Sequence, residues 1–297
     1  MRERFRTFRC IFPLLPLIAG CGRLMTMSHE GTNRSFLLHI PPDHRAGMPL
    51  LVALHGGGGS ASGFARYTGL TDLADEIGFI VVFPQGLNNR WYDSIHLSRE
   101  PGMEWVDDTG FIAALVESVG TAHQAGPVFV MGLSNGGMFV QELLVARGDL
   151  FRGGASVISQ MPTGFTGRTS NPVPVLFMNG TLDPLVPYGG GTVTLPWGET
   201  RGEVLSTAGN VQLWLDWNGI GGEPELTFLP DTDPEDGAKA VLSEWRRDGR
   251  VVVALYTIEG GGHTLPGGRQ YLPTGTVGNT CRDFNGSRAI IDFFLGI

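Results

Sequence analysis

From residue 34 onward, short continuous apolar runs take turns with stretches in which apolar residues recur every three to four positions. The first pattern is that of buried strands and the second that of amphipathic helices. Strands are predicted over 35–40, 50–54, 79–83, 128–133, 153–158, 173–178, 225–229 and 251–258. Leu50-Leu51-Val52-Ala53-Leu54 has no polar break, as expected of a strand covered on both faces. Helical spacing occupies 61–77, 109–123, 135–146, 209–217 and 287–295, with Asp107-Asp108 placed as capping residues before the second of these. Segments 84–106, 159–172, 184–200, 230–248 and 264–286 lack either period and read as loops, the fourth as a charged surface excursion. Strands separated by helices predict one α/β domain over 34–297, with a mostly parallel central sheet and helices on both faces.

The first thirty-three residues follow neither pattern. Arg2, Arg4, Arg6 and Arg9 precede an apolar stretch from Cys10 to Ala19 that Pro13 and Pro16 interrupt. That stretch is too short to span a bilayer and has the make-up of a signal peptide, placed at residues 1–20. Ile18-Ala19-Gly20-Cys21 resembles a bacterial lipobox, which makes Cys21 the expected lipidation site; the alternative is an ordinary signal peptide with an incidental cysteine. Acyl chains there would hold the protein on a membrane without a transmembrane helix. Residues 21–33 read as a tether. The expected location is outside the cytoplasm, either as an anchored lipoprotein or in secreted form.

Charge and cysteine content narrow the partners. The chain of 297 residues carries a formal net charge of −8. Residues 1–20 hold four arginines and one glutamate, so without them the balance is more negative still; nothing basic remains to track phosphates, and nucleic acid is not an expected partner. Once the leader is removed, Cys21 and Cys281 remain. An acylated Cys21 leaves Cys281 without a disulfide partner, so the fold rests on its core.

The candidate chemistry lies where predicted strands end. The strand at 128–133 runs into Gly132-Leu133-Ser134-Asn135-Gly136, and a helix follows. With 45 glycines and 14 serines in the chain, roughly 0.3 chance matches to this glycine–serine pattern are expected, so the motif alone carries little weight. The strand–turn–helix setting is what makes Ser134 a candidate nucleophile, because it holds a hydroxyl rigid and clear of the sheet. Of the seven histidines only His263 lies downstream of Ser134, after Glu259-Gly260-Gly261-Gly262. In the chain order Ser, acid, His it is the sole candidate base. The acid is less constrained. Asp183 is preferred because it follows an apolar strand after a short gap, whereas Asp231, Asp233, Glu235 and Asp236 cluster in a polar stretch and Asp216 falls in a helical pattern. An Asx turn over Leu182-Asp183-Pro184 is the other reading of Asp183. These residues would act as nucleophile (Ser134), base (His263) and tautomer-fixing carboxylate (Asp183). His55-Gly56-Gly57-Gly58-Gly59 after the 50–54 strand fits an oxyanion-hole loop, with the N–H groups of Gly57 and Asn135 as expected donors. His55 itself reads as a structural hydrogen-bonder. Trp91, on the long loop after 79–83, is the expected substrate-lining aromatic. No metal motif (H-E-x-x-H or C-x-x-C) is present, and no metal or other cofactor is expected.

With these pieces placed, the chain resembles the esterase family of polyhydroxybutyrate depolymerases, itself similar to feruloyl and acetylxylan esterases. The residues that carry the resemblance are 54–59 (LHGGGG), 105–112 (WVDDTGFI), 132–138 (GLSNGGM), 179–188 (NGTLDPLVPY) and 260–268 (GGGHTLPGG). The resemblance implies an α/β-hydrolase fold and a secreted serine esterase, and it carries the triad onto Ser134, Asp183 and His263. The implied substrates are soluble or short esters, either hydroxyalkanoate oligomers or feruloyl and acetyl esters, since no separate polymer-binding domain or Thr/Ser-rich linker accompanies the catalytic residues. A serine peptidase on the same fold and a non-catalytic anchored binding protein are the competing expectations.

Overall fold

The computed structural model describes residues 22–94, 106–169 and 171–297. Its organising element is a ten-stranded sheet. The strands are β1 (Arg23–His29), β2 (Thr32–His39), β3 (Leu50–Leu54), β4 (Ile80–Pro84), β5 (Val128–Leu133), β6 (Gly153–Val157), β7 (Val175–Gly180), β10 (Glu225–Phe228), β11 (Lys239–Arg247) and β12 (Arg250–Glu259). They lie in the order β1-β2-β4-β3-β5-β6-β7-β12-β11-β10. The six from β4 to β12 in that order are mutually parallel. Antiparallel pairs extend both edges, β1–β2 on one side and β10–β11 on the other. A separate hairpin, β8 (Gly191–Thr194) with β9 (Thr200–Val204), stands outside the sheet.

Alternation along the parallel strands divides the core into two layers. Leu50, Val52 and Leu54 face one side with Ile80, Val82 and Val130. That layer is closed by α3 (Asp108–His123), α4 (Asn135–Arg147) and α5 (Thr207–Asn218), through residues such as Phe111, Phe139 and Trp214. Leu51, Ala53, Val81, Phe83 and Met131 face the other side, under α1 (Ala61–Thr68), α2 (Leu70–Ile77) and α7 (Gly286–Gly296). There Phe129 stacks on Phe294 with ring centroids 4.7 Å apart. Each such side chain taken fully out of water contributes about 1.5–3 kcal/mol. A short helix, α6 (Thr274–Val277), interrupts the 264–286 loop. Among the described residues no helix is long and apolar enough to cross a membrane.

The structure departs from the sequence expectation in several places. Residues 23–33, read as part of a tether, form β1, the turn at 30–31 and the first two residues of β2, with Met25 and Met27 packed against the core. The helix expected over 61–77 is two helices, because Gly69 adopts a left-handed conformation (φ 64°) that caps α1 and opens α2. Part of the expected excursion at 230–248 is β11, and the expected loop at 184–200 contains β8. Residues 1–21, with the expected signal peptide and Cys21, lie outside the described residues.

Parallel register brings the carboxyl ends of β3, β5, β6, β7 and β12 to one edge. Leu133 pairs with Val157, Val157 with Met178 and Met178 with Tyr256. Ser134, Asp183 and His263 all follow strands that end there, where open α/β sheets place their ligand sites.

Candidate functional site

Ser134 is the hinge between β5 and α4. Its backbone, at φ 55° and ψ −124°, lies in a region that side chains other than glycine rarely occupy and that costs about 1–3 kcal/mol. Two hydrogen bonds hold it there. The Ser134 N–H donates to the Val157 carbonyl (2.9 Å) and the Ser134 carbonyl accepts from Met138 N–H (2.9 Å). The turn is tight enough to require glycine on both sides. A Cβ on Gly132 would stand 2.4 Å from the Gly136 carbonyl oxygen, and one on Gly136 would stand 2.5 Å from that of His55. Asn135 opens α4, so its N–H is among those with no acceptor inside the helix, at the helix's positive end.

Asp183 and His263 meet as the strand ends predict. His263 Nδ1 and Asp183 Oδ2 are 2.7 Å apart, both side chains being buried (5% and 3% exposed). The other carboxylate oxygen, Oδ1, accepts from the N–H groups of Leu185 (2.8 Å) and Val186 (2.9 Å). The Asx turn and the histidine contact, alternatives in the sequence, therefore coexist on the two oxygens of one carboxylate. With Nδ1 donating to Asp183, Nε2 is left as the acceptor. The histidine backbone is held as well: its N–H donates to Val277 and its carbonyl accepts from the Tyr271 hydroxyl (3.0 Å). Met138, Leu185, Val186, Val193, Val204 and Val277 form a small apolar cluster that ties α4, the Asp183 loop, the β8–β9 hairpin and the His263 loop together. Among the described residues no hydrogen bond joins the Ser134 hydroxyl to His263. Such bonds commonly tighten only when substrate arrives.

The His55–Gly59 loop lies against the Ser134 turn. A Cβ built on Gly56 would be 3.4 Å from that of Ser134, and one on Gly57 3.6 Å from that of Asn135. His55 is buried and makes its bonds as a neutral ring. Nδ1–H donates to the Gly56 carbonyl (2.8 Å), while Nε2 accepts from Gly86 N–H (3.1 Å) and from the Gln85 amide (3.2 Å). Burial holds its pKa below the usual imidazole value, and the bond to Gly56 partly opposes this.

Trp91 does not line a cleft. It is 0% exposed and sits in the core layer beneath the loop, its ring stacked on Phe139 at 5.6 Å. Its indole N–H donates to the His55 carbonyl (2.8 Å). The polar neighbours Asn88, Asn89 and Arg90 suggest an exposed ring, but the contact with Phe139 pulls it inward. Nothing local in the sequence marks that contact, nor the roles of Gln85 and Tyr271 behind His55 and His263. Trp105, on the same loop, lies outside the described residues.

Among the described residues two groups of side chains bring possible metal ligands together: His29, Glu30 and Asp107, and Asp236, Cys281 and Asp283. Neither contains a candidate catalytic residue. Asp107 already caps α3, and Asp236 and Asp283 accept backbone N–H groups from Ala238, Arg282 and Thr232. A cavity of about 490 Å³ lies between α7 and the face of β11 and β12, lined by Leu242, Tyr256, Phe284 and Phe293 and by no candidate residue.

Comparison with known proteins places the chain among esterases. Residues 34–213 match the family described as esterase PHB depolymerase. A protein named as an esterase, NocK, from Nocardia uniformis subsp. tsuyamanensis is 31% identical over 281 residues, which cover 90% of this chain and 80% of that protein. Feruloyl esterase B of Neurospora crassa is 30% identical over 158 residues, covering 50% of this chain and 53% of that protein. A solved acetyl xylan esterase from Aspergillus awamori superposes with a TM-score of 0.59 at 16% identity, over 93% of this chain and 100% of that one. The fold shared with it is the α/β-hydrolase fold.

Proposed function

The chain belongs to the esterase PHB depolymerase family, and on that premise we propose that it is an exported serine esterase working through an acyl-enzyme on Ser134. Ser134 Oγ attacks the ester carbon. His263 Nε2 takes the hydroxyl proton and returns it to the leaving alcohol, and Asp183 stabilises the imidazolium that forms in between. The N–H groups of Gly57 and Asn135 receive the developing oxyanion. Water then attacks the acyl-enzyme by the same route in reverse. The observation that carries the reading is the Asp183–His263 hydrogen bond, made at the sheet edge where the backbone of Ser134 is strained. Expected substrates are short esters, either hydroxyalkanoate oligomers or feruloyl and acetyl esters. Acylation of Cys21 would hold the enzyme on a membrane.

Fluorophosphonate labelling of wild type and of Ser134→Ala tests the nucleophile. The variant should lose the label, keep its fold and fall about 10⁴-fold or more in kcat on p-nitrophenyl acetate. His263→Ala should fall nearly as far, and the double variant little further. Retained labelling in Ser134→Ala, or losses that add, would remove the triad. Turnover of p-nitrophenyl esters of rising acyl length, methyl ferulate and acetylated xylan sorts the substrates. Labelling by a palmitate analogue that Cys21→Ala abolishes tests the anchor.

A further inference from the structure

We propose that Trp91 is a positioning residue for the oxyanion hole, clamping the Gly57 loop to the first turn of α4 and so fixing the spacing between the two N–H donors. The inference rests on the reading of Ser134, Gly57 and Asn135 given above.

The two donors belong to different elements. Gly57 is on the loop after β3, and Asn135 begins the helix after β5. Trp91 is bonded to both. Its indole N–H donates to the carbonyl of His55, two residues before Gly57, at 2.8 Å. Its backbone N–H donates to Asn135 Oδ1 at 2.8 Å, and Asn135 Nδ2 donates back to the Trp91 carbonyl at 3.0 Å. The ring lies flat on Phe139, one turn further along α4, with an interplanar angle of 6°. Asn135 Nδ2 also reaches Asp93, and Ser94 N–H donates to Glu142 at 2.8 Å, which fastens the 91–94 segment along the same helix. Trp91 has no exposed surface and therefore touches no substrate. Apart from one bond that its carbonyl accepts from Asp93 N–H (3.1 Å), its polar bonds end on the two elements that present the donors. A residue that only filled the core would need its ring and not its indole N–H.

The consequence is electrostatic. A donor serves the oxyanion when it lies about 2.7–3.1 Å away and is well aimed, and the bond weakens steeply outside that range. Deleting one donor outright costs about 10²–10³ in kcat, so letting one drift should cost about 10–100-fold.

Trp91→Phe keeps an aromatic ring against Phe139 and both backbone bonds to Asn135, and removes the indole N–H together with the second ring; the thionoester separates loss of the donor geometry from general loosening. Each protein is assayed on p-nitrophenyl acetate and on the matching thionoester, with active sites titrated by fluorophosphonate. Sulfur is a larger and poorer hydrogen-bond acceptor than oxygen, so the thionoester draws little from the hole. The expected result is a fall in kcat on the oxygen ester of about 10–100-fold with KM unchanged, and a change on the thionoester of less than about threefold. Asn135→Ala keeps the second donor, a backbone N–H, but frees it from Trp91. It should narrow the oxygen-to-sulfur rate ratio in the same way, and it decides the question if Trp91→Phe does not fold. Equal losses on both esters, or no loss, overturn the proposal. Absence of label on wild-type Ser134 overturns the underlying reading and this inference with it. Labelled Ser134 with an unchanged ratio overturns the inference alone.

Discussion

His55 uses its two ring nitrogens in opposite senses, and the Gly56–Gly57 peptide depends on both. The C=O and N–H of one planar peptide point in opposite directions. Fixing the Gly56 carbonyl on His55 Nδ1–H (2.8 Å) and on Gly59 N–H (3.0 Å) therefore fixes the direction of the Gly57 N–H. A protonated His55 would have no acceptor for Gly86 N–H. Burial lowers the folded-state pKa of His55, so between that value and the ordinary one the unfolded chain binds more protons. Stability from this group is present above the ordinary imidazole pKa of about 6.5 and is lost as pH falls through the lowered value. His55→Gln, which cannot titrate, should be less stable than wild type at neutral pH and should lose less on acidification. Melting temperatures of both proteins from about pH 7.5 to 5 measure this. Parallel curves would mean that His55 does not couple the loop to protons. His123, whose pKa is also lowered by burial, is common to both proteins and drops out of the difference.

At the scale of elements, the edge hairpin and α3 are joined by a buried ion pair. Arg34 on β2 meets Asp108 at the start of α3 at 2.5 Å, and its guanidinium carbon lies 3.9 Å from the centre of the Phe111 ring. The other oxygen of Asp108 accepts from Tyr92 N–H (3.0 Å), so the pair also braces the segment that carries Trp91. Burial pushes the Asp108 carboxyl above its ordinary pKa, and Arg34 pulls it back. Arg34→Met strands a buried carboxylate and should cost about 3–5 kcal/mol in urea unfolding. Adding Asp108→Asn should recover part of that loss, and simple additivity would show that the two charges are not coupled. Which elements are legible in the sequence depends on how they are buried. β3 is read to the residue because both its faces are covered and the run has no polar break. β1 and β11 are not, because each shows one side to solvent and spends it on residues such as Thr26, Ser28, Lys239 and Arg247. Ser134, Asp183 and His263 are conspicuous as candidates because apolar runs stop abruptly just before them. The inward turn of Trp91 depends on Phe139, far along the chain, and no local pattern encodes such a contact.

Over the whole molecule the core has no disulfide among the described residues, and Cys281 is a free, buried thiol. Its surroundings are Ala238, Ala240 and Ile258, and burial pushes its pKa to about 12. Thiolate is the reactive form, so the folded protein should resist maleimide at about pH 8. In a protein carrying Cys10→Ser and Cys21→Ser, labelling should appear only as the chain unfolds in denaturant. Prompt labelling of the folded form would contradict the burial. The edge hairpin has a further consequence. β1 runs in the same sense as the parallel strands, since it is antiparallel to β2 and β2 is antiparallel to β4. Arg23 pairs with Leu38, which pairs with Val82 in the middle of β4, and Val82 is level with Val52 and Val130, so β1 begins midway along the parallel strands and runs toward the edge that Ser134, Asp183 and His263 follow. Only Gly22 separates Cys21 from β1. A chain acylated at Cys21 would therefore have almost no slack between its lipid and the edge of the sheet. From the level of Val130, where β1 begins, the chain rises at about 3.3 Å per residue, which sets Ser134 roughly 13 Å further along the strands. So short a leash would hold the mouth of the enzyme at a set distance from the membrane surface and would not let it sweep the solution.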